Sequence, residues 1–244
     1  MNYQQTLEKM QQMRLYGMRR AYESSFETSR PQDWTPDQMI AWLIEAEWDN
    51  RSNARTDRLI KNARFRYHAL LEEVSYDQSR NIDKDLLIRL ADCSFIDKGE
   101  NVIITGSTGA GKSYLATALG IQACLKGYKV LYFNLGKLFE KLTQARADNS
   151  YVKELRRIEK HDLLILDDFG LQTIDAQRQL TLLDIIEDRH ARKATIITSQ
   201  IPVKVWHELL EEKTVADAIL DRIVHSSHRF ELKGESMRRK INKQ

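Results

Sequence analysis

The chain has 244 residues, of which 42% are hydrophobic and 30% are charged, and its formal net charge is +3. This length and composition suit one substantial α/β core with a smaller accessory domain. No apolar stretch reaches the roughly 18 to 20 residues of a membrane-spanning helix, and the polar N-terminus lacks the apolar core of a secretory signal. We therefore expect a soluble cytoplasmic protein with no membrane partner. Cys93 and Cys124 lack metal-ligand spacing, so neither a metal site nor a disulfide framework is expected.

The first part of the chain has helical patterns and no strand signals. Thr35 as an N-cap, Pro36 at the first helical position and Asp37 in the first turn predict the start of a helix. Farther on, apolar residues recur at spacings of three and four, which predicts the buried face of a continued or second helix. These residues are Leu59, Ala63, Tyr67, Leu70 and Leu71. We predict a small all-helical N-terminal domain over residues 1–70, which contacts a partner or DNA.

From about residue 100, short β-rich runs alternate with stretches long enough to be crossover helices. The runs are NVIIT, KVLYFN, LLILDD and ATIITS. Such alternation predicts an α/β domain with a doubly wound parallel sheet that is covered on both faces. We assign this domain to residues 71–244 and place the linker in SYDQSRNIDK, around residues 75–84.

The octet GSTGAGKS, residues 106–113, lies between the first β-rich run and a helical stretch. In a GxxxxGK[ST] motif the glycines let backbone N–H groups approach phosphate oxygens, and the next helix points its positive dipole end at the same anion. We expect Lys112 to reach the β- and γ-phosphates and the Ser113 hydroxyl to join the coordination of Mg²⁺. The predicted ATP-binding residues are Gly106, Ser107, Thr108, Gly109, Ala110, Gly111, Lys112, Ser113 and Tyr114.

Two carboxylates, Asp167 and Asp168, end the run LLILDD. Ligands of open α/β sheets bind at the carboxyl ends of the strands. We predict that Asp167 holds Mg²⁺ and that Asp168 polarises the attacking water, a role often filled by glutamate. The alternative is a solvated strand end with two ordinary acids. The triplet DFG at residues 168–170 also occurs in protein kinases, but no HRD-type loop precedes it, and a kinase has a different glycine pattern.

The order of these motifs resembles that of the IstB/DnaC-type AAA+ ATPases, and most of all the IstB helpers of insertion-sequence transposases. The resemblance covers about residues 70–244 and includes the stretches NVIITGSTGAGKSYLATALG, GYKVLYFN, LLILDDFG, ATIITSQIP, DAILDRI and GESMRRK. The sequence TSQ, where helicase loaders commonly have TSN, favours the transposition helper. The resemblance implies an AAA+ P-loop NTPase whose copies assemble side by side into ATP-dependent rings or spirals on DNA.

The resemblance also implies catalytic roles that spacing alone does not assign. Gln200 matches a polar sensor-one residue, which contacts the γ-phosphate or orients the water, and Ser199 is the adjacent alternative. Arg222 matches an arginine finger, which is donated to the γ-phosphate of a neighbouring subunit. Arg238 matches the sensor-two position, which acts on the phosphates of its own subunit, and Arg239 lies beside it. Without the resemblance, Gln200 is a polar strand end and Arg222 is a surface charge.

Two basic clusters bear on DNA binding. In residues 51–68, six cations face one acid, Asp57. The cations are Arg51, Arg55, Arg58, Lys61, Arg64 and Arg66. The first four can form one helical stripe, which would neutralise DNA phosphates without reading bases. A second cluster lies in residues 229–244, and the alternative for both clusters is a solvated basic face that binds nothing.

These observations together predict an ATP-dependent DNA-binding regulator that oligomerises on duplex DNA and assists a transposase, with ATP hydrolysis controlling release. The nearest alternative is a DnaC-like replicative helicase loader, which has the same ATPase and a different client. A P-loop kinase that works as a monomer leaves Arg222 and the basic stripe unexplained. Asp167 and Asp168 argue against an adaptor that binds nucleotide without hydrolysing it.

Overall fold

The computed structural model describes residues 2–27, 34–76 and 80–234. The chain divides into two compact units, Met1–Arg58 and Leu59–Gln244, each of which has its own internal contacts. Within the described ranges, no helix has the length and apolarity that a membrane crossing requires.

The described part of the first unit is helical. Its helices are α1 (Tyr3–Gln12), α2 (Tyr16–Glu27) and α3 (Pro36–Ala63), the last of which continues into the second unit. The start of α3 is confirmed: the Thr35 hydroxyl accepts a hydrogen bond from Gln38 N at 3.3 Å, and the Gln38 side chain accepts one from Thr35 N at 2.9 Å. This reciprocal pair is a capping box, which satisfies two backbone donors at the helix end. Glu47 of α3 accepts a hydrogen bond from Gly17 N at 2.8 Å and so ties α3 to the start of α2.

The predicted helical face beyond α3 is wrong in one respect. Helix α3 ends at Ala63 because Arg64 adopts φ of 60°, the left-handed conformation that commonly terminates helices. Tyr67 and Leu70 therefore lie in irregular chain. Most of the predicted apolar face still packs against the core of the second unit, through Leu59, Ala63, Tyr67 and Leu71. For this reason the first unit ends at Arg58 and not at residue 70.

The second unit is built on a parallel sheet of five strands in the order β2-β3-β4-β1-β5. The strands are β1 (Asn101–Gly106), β2 (Val130–Asn134), β3 (Leu163–Phe169), β4 (Ala194–Ser199) and β5 (Ser227–Leu232). The strand β4 is buried along its whole length, as expected of a strand that is covered on both faces.

Helices pack on both faces of this sheet, which confirms the predicted doubly wound α/β fold. They are α4 (Lys84–Ala91), α5 (Ser94–Asp97), α6 (Lys112–Leu125), α7 (Leu135–Ala147), α8 (Tyr151–Glu159), α9 (Ala176–Arg189) and α10 (Lys213–Val224). Successive residues of a strand point to opposite faces. Accordingly, Ile104 belongs to the hydrophobic core that includes Leu115 of α6, whereas Ile103 belongs to the core that includes Leu182 of α9.

The edge strand β5 was not predicted from the sequence. Phe230 and Leu232 are buried, whereas Arg229, which precedes Phe230, and Glu231, which lies between the two, are exposed. This alternation is typical of a half-buried strand. In the sequence, Arg229 begins a run rich in basic residues, and this charge pattern masks the alternation of the strand.

Candidate nucleotide site

The phosphate loop connects β1 to α6, as the motif predicted. Gly109 and Gly111 have φ of 83° and 93°, a left-handed conformation that glycine adopts without strain. Helix α6 begins at Lys112, so the free N–H groups of its first turn adjoin the loop. The Lys112 side chain is 5% exposed, and its Nζ donates a hydrogen bond to Ser107 O at 2.9 Å. The loop thus has the cationic, N–H-lined form that binds phosphate.

Asp167 lies at the carboxyl end of β3 and is fully buried. Its carboxylate accepts hydrogen bonds from three hydroxyls: Ser113 Oγ of α6, at 2.8 Å, Thr198 of β4 and Tyr132 of β2. Charge-assisted bonds of this kind offset the cost of burying a carboxylate. The structure therefore brings the two predicted magnesium ligands, Ser113 and Asp167, into direct contact.

The strand β3 is irregular where Asp168 follows Asp167. The pairing of β3 with β4 shifts between Leu166 and Phe169, and Asp168 adopts φ of 64°. Asp168 Oδ2 accepts a hydrogen bond from Asn134 Nδ2 at the end of β2, at 2.9 Å. Burial, together with the charge of Asp167, raises the pKa of Asp168 above its ordinary value. A regular strand would turn the two acids to opposite faces, so this bulge reorients Asp168.

Gln200, the predicted sensor-one residue, contacts the phosphate loop directly. Its Oε1 accepts a hydrogen bond from Thr108 Oγ1 at 2.7 Å. The adjacent alternative, Ser199, is fully buried and donates to Phe169 O at 2.7 Å, so its hydroxyl is engaged with the backbone of β3. The geometry therefore favours Gln200 over Ser199.

Arg222, the predicted arginine finger, lies on α10. Its Nε is 2.6 Å from Glu187 Oε2 of α9, and its Nη1 donates to Ala218 O at 2.8 Å. Across the described residues, its side chain forms no hydrogen bond or ion pair with the phosphate loop of its own chain. Arg238, the predicted sensor-two residue, and Arg239 lie outside the described residues.

A cleft of about 620 Å³ opens beside the phosphate loop. Its apolar and aromatic lining comprises Tyr67, Val74, Ile82, Tyr114 and Leu115. The rings of Tyr67 and Tyr114 stack with centroids 6.4 Å apart, and the Tyr114 hydroxyl donates to Glu73 at 2.6 Å. A larger cleft, of about 860 Å³, lies along β5 and includes no residue of the phosphate loop. The smaller cleft combines an anion site with flat apolar walls and therefore suits a nucleotide.

Three polar residues of this site were not predicted from the sequence: Tyr132, Asn134 and Thr198. All three lie near the carboxyl ends of the strands that flank β3. The stretches YFN and TS carried a usable signal, because polar residues that end neighbouring parallel strands meet at one edge of the sheet.

Replacing Tyr132 by phenylalanine should reduce the free energy of unfolding by about 1.5–3 kcal/mol, because a buried carboxylate loses a charge-assisted hydrogen bond. Tyr128→Phe is the matched control, since the Tyr128 hydroxyl donates to Asp97 at 2.8 Å in an exposed setting. Its loss should cost less than about 1 kcal/mol. Guanidinium unfolding of the three proteins measures both values. Equal losses would show that Tyr132 does not stabilise the charge of Asp167.

The predicted DNA contacts on α3 are all exposed. Arg51, Arg55, Arg58 and Lys61 lie within α3, and Arg64 directly follows it. Arg51 is also 2.7 Å from Glu47, so part of its charge is compensated. A further exposed basic set, which was not predicted from the sequence, lies on α8 and at its end. This set, Lys153, Arg156 and Lys160, recurs at spacings of three and four and therefore shares one helix face.

Comparison with known proteins identifies the family. Residues 8–244 match the family model described as IstB-like ATP binding protein. The chain belongs to the IstB-like family. This IstB-like chain is 41% identical over 234 residues to the insertion sequence ATP-binding protein y4pL of Sinorhizobium fredii, covering 96% of each. It is 29% identical over 218 residues to the ATP-binding protein of insertion sequence IS21 of Pseudomonas aeruginosa, covering 89% of this chain and 82% of that protein.

Solved structures confirm the AAA+ fold of the IstB-like chain. DnaI superposes with a TM-score of 0.59 and 22% identity, covering 73% of this chain and 92% of DnaI. The DnaC helicase loader has a TM-score of 0.56 and 21% identity, with 71% and 98% covered. DnaA from Aquifex aeolicus, bound to AMPPCP, has a TM-score of 0.58 and 18% identity, with 73% and 54% covered. Family and fold together confirm the prediction of an ATP-binding AAA+ ATPase.

Proposed function

We propose that this chain is an ATP-dependent regulator that oligomerises on duplex DNA and assists a transposase in target selection or integration, with hydrolysis controlling release. The relatives described above are ATP-binding proteins of insertion sequences, which are elements that move by means of a transposase. A transposase is therefore the client that best fits an ATPase of this family.

The position of Arg222 carries the proposal of oligomerisation. Its side chain is 26% exposed, and its ion-pair partner Glu187 is 57% exposed, so the pair lies at the protein surface. A guanidinium that is supplied in trans to the γ-phosphate can accelerate phosphoryl transfer by about 10³–10⁵-fold. Arg222 would reach the nucleotide of a neighbouring copy, and turnover would then depend on assembly into a ring or spiral.

The proposed chemistry assigns a role to each residue of the site. Ser113 and Asp167 supply the hard oxygen ligands that Mg²⁺ prefers, and Mg²⁺ bound there would neutralise charge on the β- and γ-phosphates. Lys112 binds the same two phosphates. Asp168 orients the attacking water and accepts its proton, and Gln200 contacts the γ-phosphate from the Thr108 side of the loop.

The proposed DNA contacts are the exposed basic surfaces. The α3 set consists of Arg51, Arg55, Arg58, Lys61 and Arg64. The α8 set consists of Lys153, Arg156 and Lys160. Both sets consist of exposed cationic side chains spaced along a helix, which suits contacts with successive phosphate oxygens, so we propose recognition of the DNA backbone and shape. For each phosphate contact that is lost, the slope of the logarithm of the binding constant against the logarithm of the salt concentration should become smaller by about one.

The test of this function is the ATPase rate per subunit, measured against protein concentration and duplex DNA concentration. Because the arginine finger would come from a neighbour, the rate should rise with both concentrations. A rate per subunit that is independent of both would contradict the proposal.

A replicative helicase loader is the second candidate, because DnaI and the DnaC helicase loader share this fold. The two functions differ in the client protein. Pull-down of the tagged chain with a purified replicative helicase and with a purified transposase of the same insertion-sequence type separates them, since only the true client should be retained in an ATP-dependent manner.

A further inference from the structure

Arg80 lies directly on the phosphate loop, although neither the loop motif nor the family resemblance singles it out. Its Nη2 donates a hydrogen bond to Ala110 O at 2.9 Å, and its Nη1 donates to Ser75 O at 3.2 Å. A Cβ atom at Gly111 would collide with the same Nη2. The guanidinium therefore rests against the last glycine before α6.

The edge strand β5 holds the backbone of Arg80 in place. Lys233 N donates to Arg80 O at 3.0 Å, and Asn81 Nδ2 donates to Glu231 O at 2.9 Å. β5 pairs with β1, whose last residue, Gly106, begins the phosphate loop. The backbone of Arg80 is thus hydrogen-bonded at the end of β5, and the loop follows the neighbouring strand β1. This arrangement restricts the positions that the guanidinium can adopt.

The position of Arg80 within the cleft indicates which part of a nucleotide it meets. Arg80 lines the 620 Å³ cleft together with Lys112 and Ser113 at the anion end and with Val74 and Ile82 on the apolar side. Gln200 contacts the loop at Thr108, whereas Arg80 contacts it at Ala110 and Gly111. Arg80 therefore lies between the helix N-terminus and the apolar walls, where the phosphates nearest the nucleoside would pass.

We propose that Arg80 binds the α- and β-phosphates of the nucleotide. The Ala110 carbonyl is a neutral acceptor, and a phosphate oxygen forms a stronger, charge-assisted hydrogen bond with a guanidinium. The planar fork of arginine also matches two phosphate oxygens at once. ATP and ADP share this diphosphate, so Arg80 stabilises both complexes and does not bind the γ-phosphate. The proposal requires only ATP binding and not assembly on DNA.

Nucleotide titrations of the full chain test this role. Arg80→Ala should bind fluorescent ADP and ATP analogues about tenfold more weakly, which is the loss expected for one hydrogen bond to a charged group. At saturating ATP, kcat should fall far less than the about 10³–10⁵-fold expected for loss of an arginine finger, because Arg80 contacts the leaving diphosphate and not the γ-phosphate. Arg80→Lys should give an intermediate affinity, since it keeps the charge and loses the fork. Arg89→Ala, at an exposed arginine of α4, is the control and should change neither affinity.

Three binding results would overturn the proposal, and so would one thermal result. The first is unchanged affinity of Arg80→Ala for both nucleotides, and the second is a loss confined to ATP, which would place Arg80 at the γ-phosphate. The third is undiminished binding of inorganic pyrophosphate, which lacks a base and would place Arg80 at the nucleoside. Thermal unfolding separates a structural role: we expect the nucleotide-free melting temperature of Arg80→Ala to fall only slightly, through the two lost hydrogen bonds to backbone carbonyls, and the rise produced by ADP to shrink. A large fall in the nucleotide-free value together with equal losses in Arg80→Lys would also contradict the proposal.

Discussion

Replacing Arg222 by alanine will abolish assembly-dependent ATP turnover and leave ATP binding intact. The loss should be about 10³–10⁵-fold in kcat, which is the typical contribution of an arginine finger to phosphoryl transfer. ATP affinity should stay within about twofold, because Arg222 forms its ion pair with Glu187 and not with the phosphate loop of its own chain. Steady-state ATPase assays with duplex DNA and nucleotide titrations measure the two quantities. Arg192→Ala, at another exposed arginine, is the control and should retain full activity.

Mixing two inactive variants tests whether Arg222 acts between subunits. The Arg222→Ala variant keeps Asp167 and Asp168 but has no guanidinium to donate to its neighbour. The Asp168→Asn variant can donate the Arg222 guanidinium but has no general base in its own site. If the site forms at the boundary between copies, a mixture of the two should recover a substantial fraction of parent activity, since some boundaries are then complete. Recovery of no activity, with oligomers of parent size, would contradict action in trans.

Asp168→Asn should reduce kcat by about 10²–10⁴-fold, the usual contribution of a general base. ATP should still bind, because Lys112, Ser113 and Asp167 are unchanged. If hydrolysis controls release, the complexes of this variant with ATP and DNA should also live longer than those of the parent. Asp162→Asn is the matched control, since Asp162 lies at the other end of β3 and pairs with Lys193 at 2.8 Å.

Two outcomes would count against this assignment of Asp168. Loss of ATP binding would mean that the acid serves nucleotide affinity and not the attack of water. If complexes of the variant with DNA dissociate at the parent rate although turnover is lost, ATP hydrolysis does not control release from DNA. Dissociation rates from a labelled duplex in the presence of ATP distinguish these cases.

The sequence predicted those parts of the site that local chain order encodes. The phosphate loop, Lys112 and Ser113 are continuous in sequence, and the run LLILDD marked both a buried strand and the acids at its end. The parallel sheet followed from four such runs. These features are visible because a strand, a turn and a helix N-terminus each have a short-range pattern.

The remaining features depend on contacts between distant segments. Tyr132 and Thr198 reach Asp167 only because β2 and β4 flank β3 in the sheet, an order that the chain does not display. The end of α3 was missed because Arg64 adopts a left-handed conformation that glycine usually signals. The contact of Arg80 with the phosphate loop likewise depends on the fold, since α4, α5 and β1 separate Arg80 from Ala110 in the sequence.

The kink at the end of β3 bears on which acid can occupy position 168. A left-handed backbone costs most L-residues about 1–2 kcal/mol, and aspartate and asparagine tolerate it best. Asp168 adopts this conformation, so the bent main chain selects the acid with the shorter side chain. Glutamate at position 168 would have a longer side chain and would tolerate the left-handed backbone conformation less well than aspartate does. The shape of the strand and the identity of the acid at position 168 are thus coupled in this protein.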